Sequence, residues 1–405
     1  MNIENITRRS TYLMIVLALL GNIPGTPEIY GMFLYPFRLL YPPYIALLIL
    51  FILNKKEVEI TKTTVLFFAF ICYIPASLIW SINPQNTLIN SLSLLATASL
   101  SIGIWITSKN REIIHRYLLL ITGIGIIALG LAGYEMITGH NLSVSRFHGR
   151  KPQALLGYYA TAWFYNINKF TFFMLLSVIY PTSLALTSWL SIRERILYLA
   201  PLGIGVFIFI NLSSRAILLS TIIIIGYIIA VGRDRVPNGI RQFRTNRIVT
   251  TIFGLATIGL LVVFSLIPNP ASKGSSIYIR WELQSTATSY VLSNPIGVGY
   301  RNTESILLSL ARVTKDIGAP HSLYGRIILD FGLVGLLLAV TLFGVLISQS
   351  SKYAIARNNP VETTTAAWMV ALPVSSLAPA NPIVQPTLWV GIGLVLAVIQ
   401  LNCSS

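Results

Sequence analysis

The chain is a succession of apolar runs, each close to the ~20 residues that carry a helix across ~30 Å of hydrocarbon. Twelve such runs lie near residues 11–24, 38–54, 63–80, 86–107, 113–138, 158–184, 196–212, 216–232, 248–267, 333–349, 364–379 and 387–402. A backbone in lipid must satisfy its own polar groups, so runs of this length fold as helices. Only 10% of the 405 residues are charged, against roughly 25% in a soluble domain. The pattern predicts an all-α integral membrane protein of about twelve transmembrane helices. The first run follows Arg8 and Arg9 without a small-residue cleavage site and is expected to be retained. Cys72 and Cys403 stand in apolar runs, which suits neither a disulfide framework nor a thiolate metal site.

Loop charges set the orientation. With the N-terminus in the cytoplasm, most of the 29 Lys and Arg fall in cytoplasmic loops, as the positive-inside bias requires. The net charge of +16 is then mainly topogenic and not a nucleic-acid footprint. The remaining cations fall on the outer side: Arg38, Arg146, Arg150, Lys151, Lys169, Arg215, Lys273, Arg280, Arg301, Arg312, Lys315 and Arg326. The topogenic rule does not call for them. They fit a face that attracts an anionic substrate such as a lipid diphosphate. The one long stretch too polar to span runs from Ser275 to Gly335. It divides the chain into membrane helices over 1–267, an outer loop with short helices over 268–332, and membrane helices over 333–405.

Candidate chemistry gathers around that loop. Arg215, in NLSSRAILLS, joins two apolar runs with almost no loop, which holds a guanidinium at the membrane edge. Its planar fork suits phosphate oxygens, although snorkelling to headgroups would also place it there. Arg280 sits in SSIYIRWELQ, where Ile277, Tyr278, Trp281 and Leu283 suggest an amphipathic surface helix. It either faces a lipid headgroup or pairs with Glu282 or Glu304. His321 follows Pro320, which opens a helix running through Tyr324 to Asp330. An imidazole in that first turn is disfavoured from protonating and would serve as a neutral base. Asn166 and Asn168, followed by Lys169, open the sixth run and either line a polar cavity or cap the helix. Arg38, in YPFRLLYPP, is either an anion contact or an interfacial anchor with Tyr35 and Phe37. His115 falls on the cytoplasmic side, and His140 and His148 are weaker outer candidates. No phosphate-binding P-loop and no H-E-x-x-H motif occurs, so no nucleotide hydrolysis and no metal site are expected.

Arg215 between two mid-chain runs, Arg280 early in one large outer loop, then NPIGVGY and PHSLYGRIILDFGLVGLLL, together resemble the O-antigen ligase and polymerase superfamily. The family pattern reads His-Asn, an aromatic, then Glu-x-Gly-x-x-Gly-Leu. Here Ser322 replaces the Asn and Asp330 takes the Glu position, while Gly332 and Gly335 match. The resemblance implies a GT-C-like glycosyltransferase of the bacterial inner membrane, with its active site facing the periplasm and needing neither metal nor cofactor. Its donor would be a glycan on undecaprenyl diphosphate, displaced by an acceptor sugar hydroxyl with inversion. Arg215 and Arg280 would hold the diphosphate, and His321 would activate or orient the acceptor. Arg38, Asn166, Asn168, Lys169 and Tyr324 would add donor or glycan contacts. The YPFRLLY start and Ser322 look more like polymerases, which join lipid-linked repeat units and are expected to work beside a chain-length regulator. The alternative is a ligase acting on lipid A–core. A transporter or flippase of lipid-linked glycans also suits twelve spans, but the two halves show no matching repeat.

Overall fold

The computed structural model describes residues 3–20, 28–29, 32–33, 36–54, 60–145, 147–232, 283, 286–287, 289–310, 323–377, 379 and 381–403. The chain is an all-helical membrane protein. Its helices are α1 (Ile3–Leu20), α2 (Pro36–Asn54), α3 (Lys62–Ala76), α4 (Pro84–Thr107), α5 (Arg111–Thr138), α6 (Ile167–Thr187), α7 (Ile192–Asn211) and α8 (Arg215–Val231). After a gap in the described residues come α9 (Thr303–Leu310), α10 (Leu323–Arg357), α11 (Pro360–Ser375) and α12 (Pro386–Cys403). A two-residue antiparallel ladder, Glu28–Ile29 on Met32–Phe33, links α1 to α2. Among the described residues eight helices are long and apolar enough to cross a membrane, and α8 is a shorter apolar helix.

Each apolar run of the sequence coincides with a helix, except that the run at 248–267 lies outside the described residues. The boundaries differ most at three helices. α1 starts at Ile3, ahead of the first run at 11–24. The sixth run was expected from residue 158, but α6 starts at Ile167. Asn166 ends the preceding loop by accepting a hydrogen bond from the Lys169 backbone N–H at 3.0 Å. The span expected over 333–349 joins the helix expected through Tyr324 to Asp330: α10 runs from Leu323 to Arg357, with non-helical geometry at Gly332 (φ 67°, ψ −161°).

Asparagine caps start α4, α5, α6 and α11, each accepting from a backbone N–H in the first turn. This satisfies donors that lipid could not. α12 sits at the centre of the bundle. Its Gly393 allows α4 to approach so closely that a Cβ there would meet the Ser101 Cα at 2.7 Å. The face of α2 bearing Leu39, Ile49 and Leu53, like that of α7 bearing Leu197 and Phe207, is exposed and apolar, as a lipid-facing surface should be. One end of the bundle is tied by Lys109–Glu4 at 2.5 Å and by Arg111 with the buried Glu362 at 2.6 Å. The opposite end holds the starts of α2, α4, α6, α8, α10 and α12.

Candidate functional site

At that opposite end the two glycine-bearing motifs of the sequence meet. Gly332 interrupts α10, and the carbonyls of Leu329 and Asp330 just before it accept from outside the helix. The turn at 294–300 supplies the donors: Val298 N–H donates to the Leu329 carbonyl and Gly299 N–H to that of Asp330, both at 2.9 Å. Leu333 N–H returns a bond to the Pro295 carbonyl at 2.8 Å. Gly297 (φ 86°) and Gly332 pack backbone to backbone, and a Cβ on Gly297 would lie 2.5 Å from the Gly332 nitrogen. The turn is also bolted to the start of α4. Asn302 Nδ2 donates to Ser81 Oγ, Thr87 Oγ1 and the Val298 carbonyl, and Asn86 Nδ2 donates to the Arg301 carbonyl at 3.0 Å. Tyr300 is fully buried and stacks on Phe331 at 5.6 Å. Burial pushes its phenol well above the ordinary range, so it remains a neutral packing group.

This clamp delivers Arg301, held in the left-handed region at φ 69°, to a cavity of about 260 Å³. Arg38 and Lys169 line the same cavity. Asn90, Ser93 and Thr97 present one face of α4 to it, at the i, i+3, i+7 spacing of a helix stripe. Phe37, Trp163, Phe164 and Tyr165 form an aromatic wall, and Gln385 and Pro386 close the α12 side. Among the described residues no carboxylate lines it. Arg38 belongs to the first turn of α2, Lys169 to that of α6, and Pro386 opens α12. Helix N-termini carry partial positive charge, so cations there are in the unfavourable position. Three helix starts and three cations around one space make a field that an anion relieves. Arg38 Nη2 also donates to Ser93 Oγ at 3.1 Å, and Arg301 pairs with Glu304 at 3.5 Å. Among the described residues no group of three or more His, Cys, Asp or Glu could hold a metal ion.

The aromatic wall hangs on Glu135, fully buried in the last turn of α5. Its carboxylate accepts the backbone N–H groups of Thr161 at 2.7 Å, Ala162 at 2.8 Å and Leu142 at 3.3 Å. Ala162 stands in the left-handed region at φ 48°. Trp163, next along, donates from Nε1 to the Leu19 carbonyl at 3.0 Å. Glu135→Gln replaces one acceptor by a donor facing backbone donors. It is expected to cost about 2 kcal/mol, read as a lowered Tm of purified protein in nanodiscs. An unchanged Tm would mean that the 141–165 loop does not depend on this carboxylate.

Of the sequence candidates, Arg38 and Lys169 meet in the cavity, and Arg301, counted only among the outer cations, joins them. Arg215 is exposed at the start of α8 and is not among the lining residues. It belongs to the same end, since Ser214 Oγ lies 3.4 Å from Thr171 Oγ1 in α6. Asn166 is used as the α6 cap. Asn168 and Tyr324 stand in the first turns of α6 and α10, outside the lining. Arg280 and His321 lie outside the described residues. His148 Nδ1 is 3.0 Å from the Asn141 carbonyl, and His115 pairs with the Tyr180 hydroxyl. Arg301 had a sequence signal, a cation two residues after the Gly297-Val298-Gly299 turn. Asn90 and Gln385 were signalled only as amides beside or within apolar runs.

No family model matches the chain, and comparison with curated proteins gives no significant match.

Proposed function

We propose that the chain is a polymerase of O-antigen or a related surface polysaccharide, a twelve-span glycosyltransferase whose basic cavity faces the periplasm. The observation that supports this reading is the convergence of Arg38, Lys169 and Arg301 on one cavity at a single end of the bundle, with no carboxylate among its described lining residues. That is the charge arrangement a diphosphate headgroup requires at a membrane edge. Arg38 and Lys169 in helix first turns and Arg301 in a turn between helices, not at mid-helix, favour transfer over transport. In the proposed step an acceptor sugar hydroxyl attacks the anomeric carbon of the undecaprenyl-diphosphate-linked glycan. The new C–O bond forms as the bond to diphosphate breaks, and the electron pair leaves on the diphosphate oxygen. The hydroxyl proton passes to His321 as base. Arg215, Arg280 and the cavity cations stabilise the departing charge, so the reaction needs no metal.

The test is an in vitro transfer assay with the cognate repeat glycan on undecaprenyl diphosphate, in EDTA, with and without lipid A–core. A ladder from the lipid-linked repeat alone supports the polymerase, and product only with lipid A–core supports the ligase. Arg301→Ala and Lys169→Ala are each expected to lower kcat/KM by roughly 10²-fold, the scale of one lost charge-stabilising group. Full activity in both variants would remove the cavity from the reaction.

A further inference from the structure

We infer that the cavity also reads the sugar attached to its anionic group, with Asn90 and Gln385 as the residues that bind its hydroxyls. The inference rests on the donor reading above and adds a specificity site to it. It follows from the direction in which the amides are wired. Asn86 Nδ2 faces the Arg301 carbonyl, which can only accept, so the nitrogen is fixed there and Asn86 Oδ1 turns the other way. Asn90 Nδ2 donates to Asn86 Oδ1 and to the Asn86 backbone carbonyl, both at 2.8 Å. The nitrogen of Asn90 is therefore committed, and its carbonyl oxygen is what this cavity-lining residue can offer a ligand. Gln385 repeats the arrangement from the α12 side. Its Nε2 donates to the Asn381 backbone carbonyl at 3.4 Å, which leaves Oε1 as the free end of a side chain otherwise packed into the cavity wall.

Two carbonyl acceptors in a cavity with three cations are wrong for a bare phosphate, which itself brings only acceptors. They are right for a ligand that carries hydroxyl donors next to its anionic group. A sugar linked through its anomeric oxygen to diphosphate is such a ligand. The Trp163 ring, fixed by its bond to the Leu19 carbonyl, adds an apolar surface for the sugar C–H groups.

The experiment measures binding of undecaprenyl diphosphate, and of undecaprenyl diphosphate bearing glucose, galactose or N-acetylglucosamine, to the full chain in nanodiscs. The wild type is expected to bind at least one sugar-bearing lipid more tightly than the bare lipid diphosphate. Asn90→Ala and Gln385→Ala are each expected to reduce that preference roughly threefold to tenfold, the worth of one hydrogen bond. Affinity for the bare lipid diphosphate should remain. Absence of any sugar preference in the wild type overturns the inference. So does an equal loss for bare and sugar-bearing lipids in both variants. The donor reading fails separately, and takes this inference with it, if bare undecaprenyl diphosphate does not bind or if Arg301→Ala leaves its binding unchanged.

Discussion

Gly332→Ala is expected to destabilise the protein by roughly 3–5 kcal/mol, the sum of a glycine-only backbone conformation and overpacking. The combination φ 67°, ψ −161° is one that side chains avoid for steric reasons. An added Cβ would also fall well inside contact distance of the Pro295 carbonyl oxygen and the Ile296 carbonyl carbon. These are backbone atoms of the turn whose N–H groups satisfy α10, so neither partner can swing aside. Relief requires the turn to leave the kink, which would break the bonds from Val298 and Gly299 and draw Arg301 out of the cavity. Stability and donor binding should therefore fall together. Tm and undecaprenyl-diphosphate affinity measured on the same nanodisc sample test this. Gly344→Ala, at a glycine with nothing within 4 Å of the added Cβ, is the helix control and should change little. Equal behaviour of the two variants would refute the account of the kink.

The bundle was legible because burial in lipid leaves the chain little choice. Apolar runs long enough to span had to be helices, and Asn166 was one of two asparagines expected either to cap the sixth or to line a cavity; it is the cap. The start of α6 was not legible, because YYATAWF is as apolar as the helix it precedes. What keeps it out of the helix is a carboxylate more than twenty residues earlier, Glu135, which accepts the Thr161 and Ala162 N–H groups and which no local pattern ties to that segment. Both glycine motifs stood out, yet their contact did not. It is made by backbone groups, which leave no side-chain pattern. The cavity cations come from α2, α6 and the 294–302 turn, and only the closed bundle shows that Arg301 belongs with Arg38 and Lys169.

Arg326→Met should be nearly as damaging to stability as Gly332→Ala, for a different reason. Arg326 and Asp330 are both fully buried, with Nε donating to Oδ2 at 3.0 Å. Removing one member of a buried pair leaves the other charge unsolvated, a cost of about 3–5 kcal/mol. Among the described residues the Asp330 carboxylate would keep only the bonds from Thr303 N–H at 3.3 Å and Thr303 Oγ1 at 2.5 Å. Adding Asp330→Asn removes the stranded charge while keeping an acceptor for Thr303. The double variant is therefore expected to recover about 1–3 kcal/mol relative to additivity, the range of coupling between residues in contact. The same substitution reaches the cavity. Arg326 Nη1 holds Glu304 at 3.3 Å, and Glu304 in turn holds Arg301 at 3.5 Å. Without Arg326 the carboxylate is left to Arg301 alone among these partners and competes with a bound anion for that guanidinium. Donor affinity should therefore stay weak in the double variant even as its Tm recovers. Glu304→Gln added to it should restore affinity. Recovery of binding in step with Tm, before Glu304 is changed, would show that the Arg301–Glu304–Arg326–Asp330 chain is structural support and does not set the charge available in the cavity.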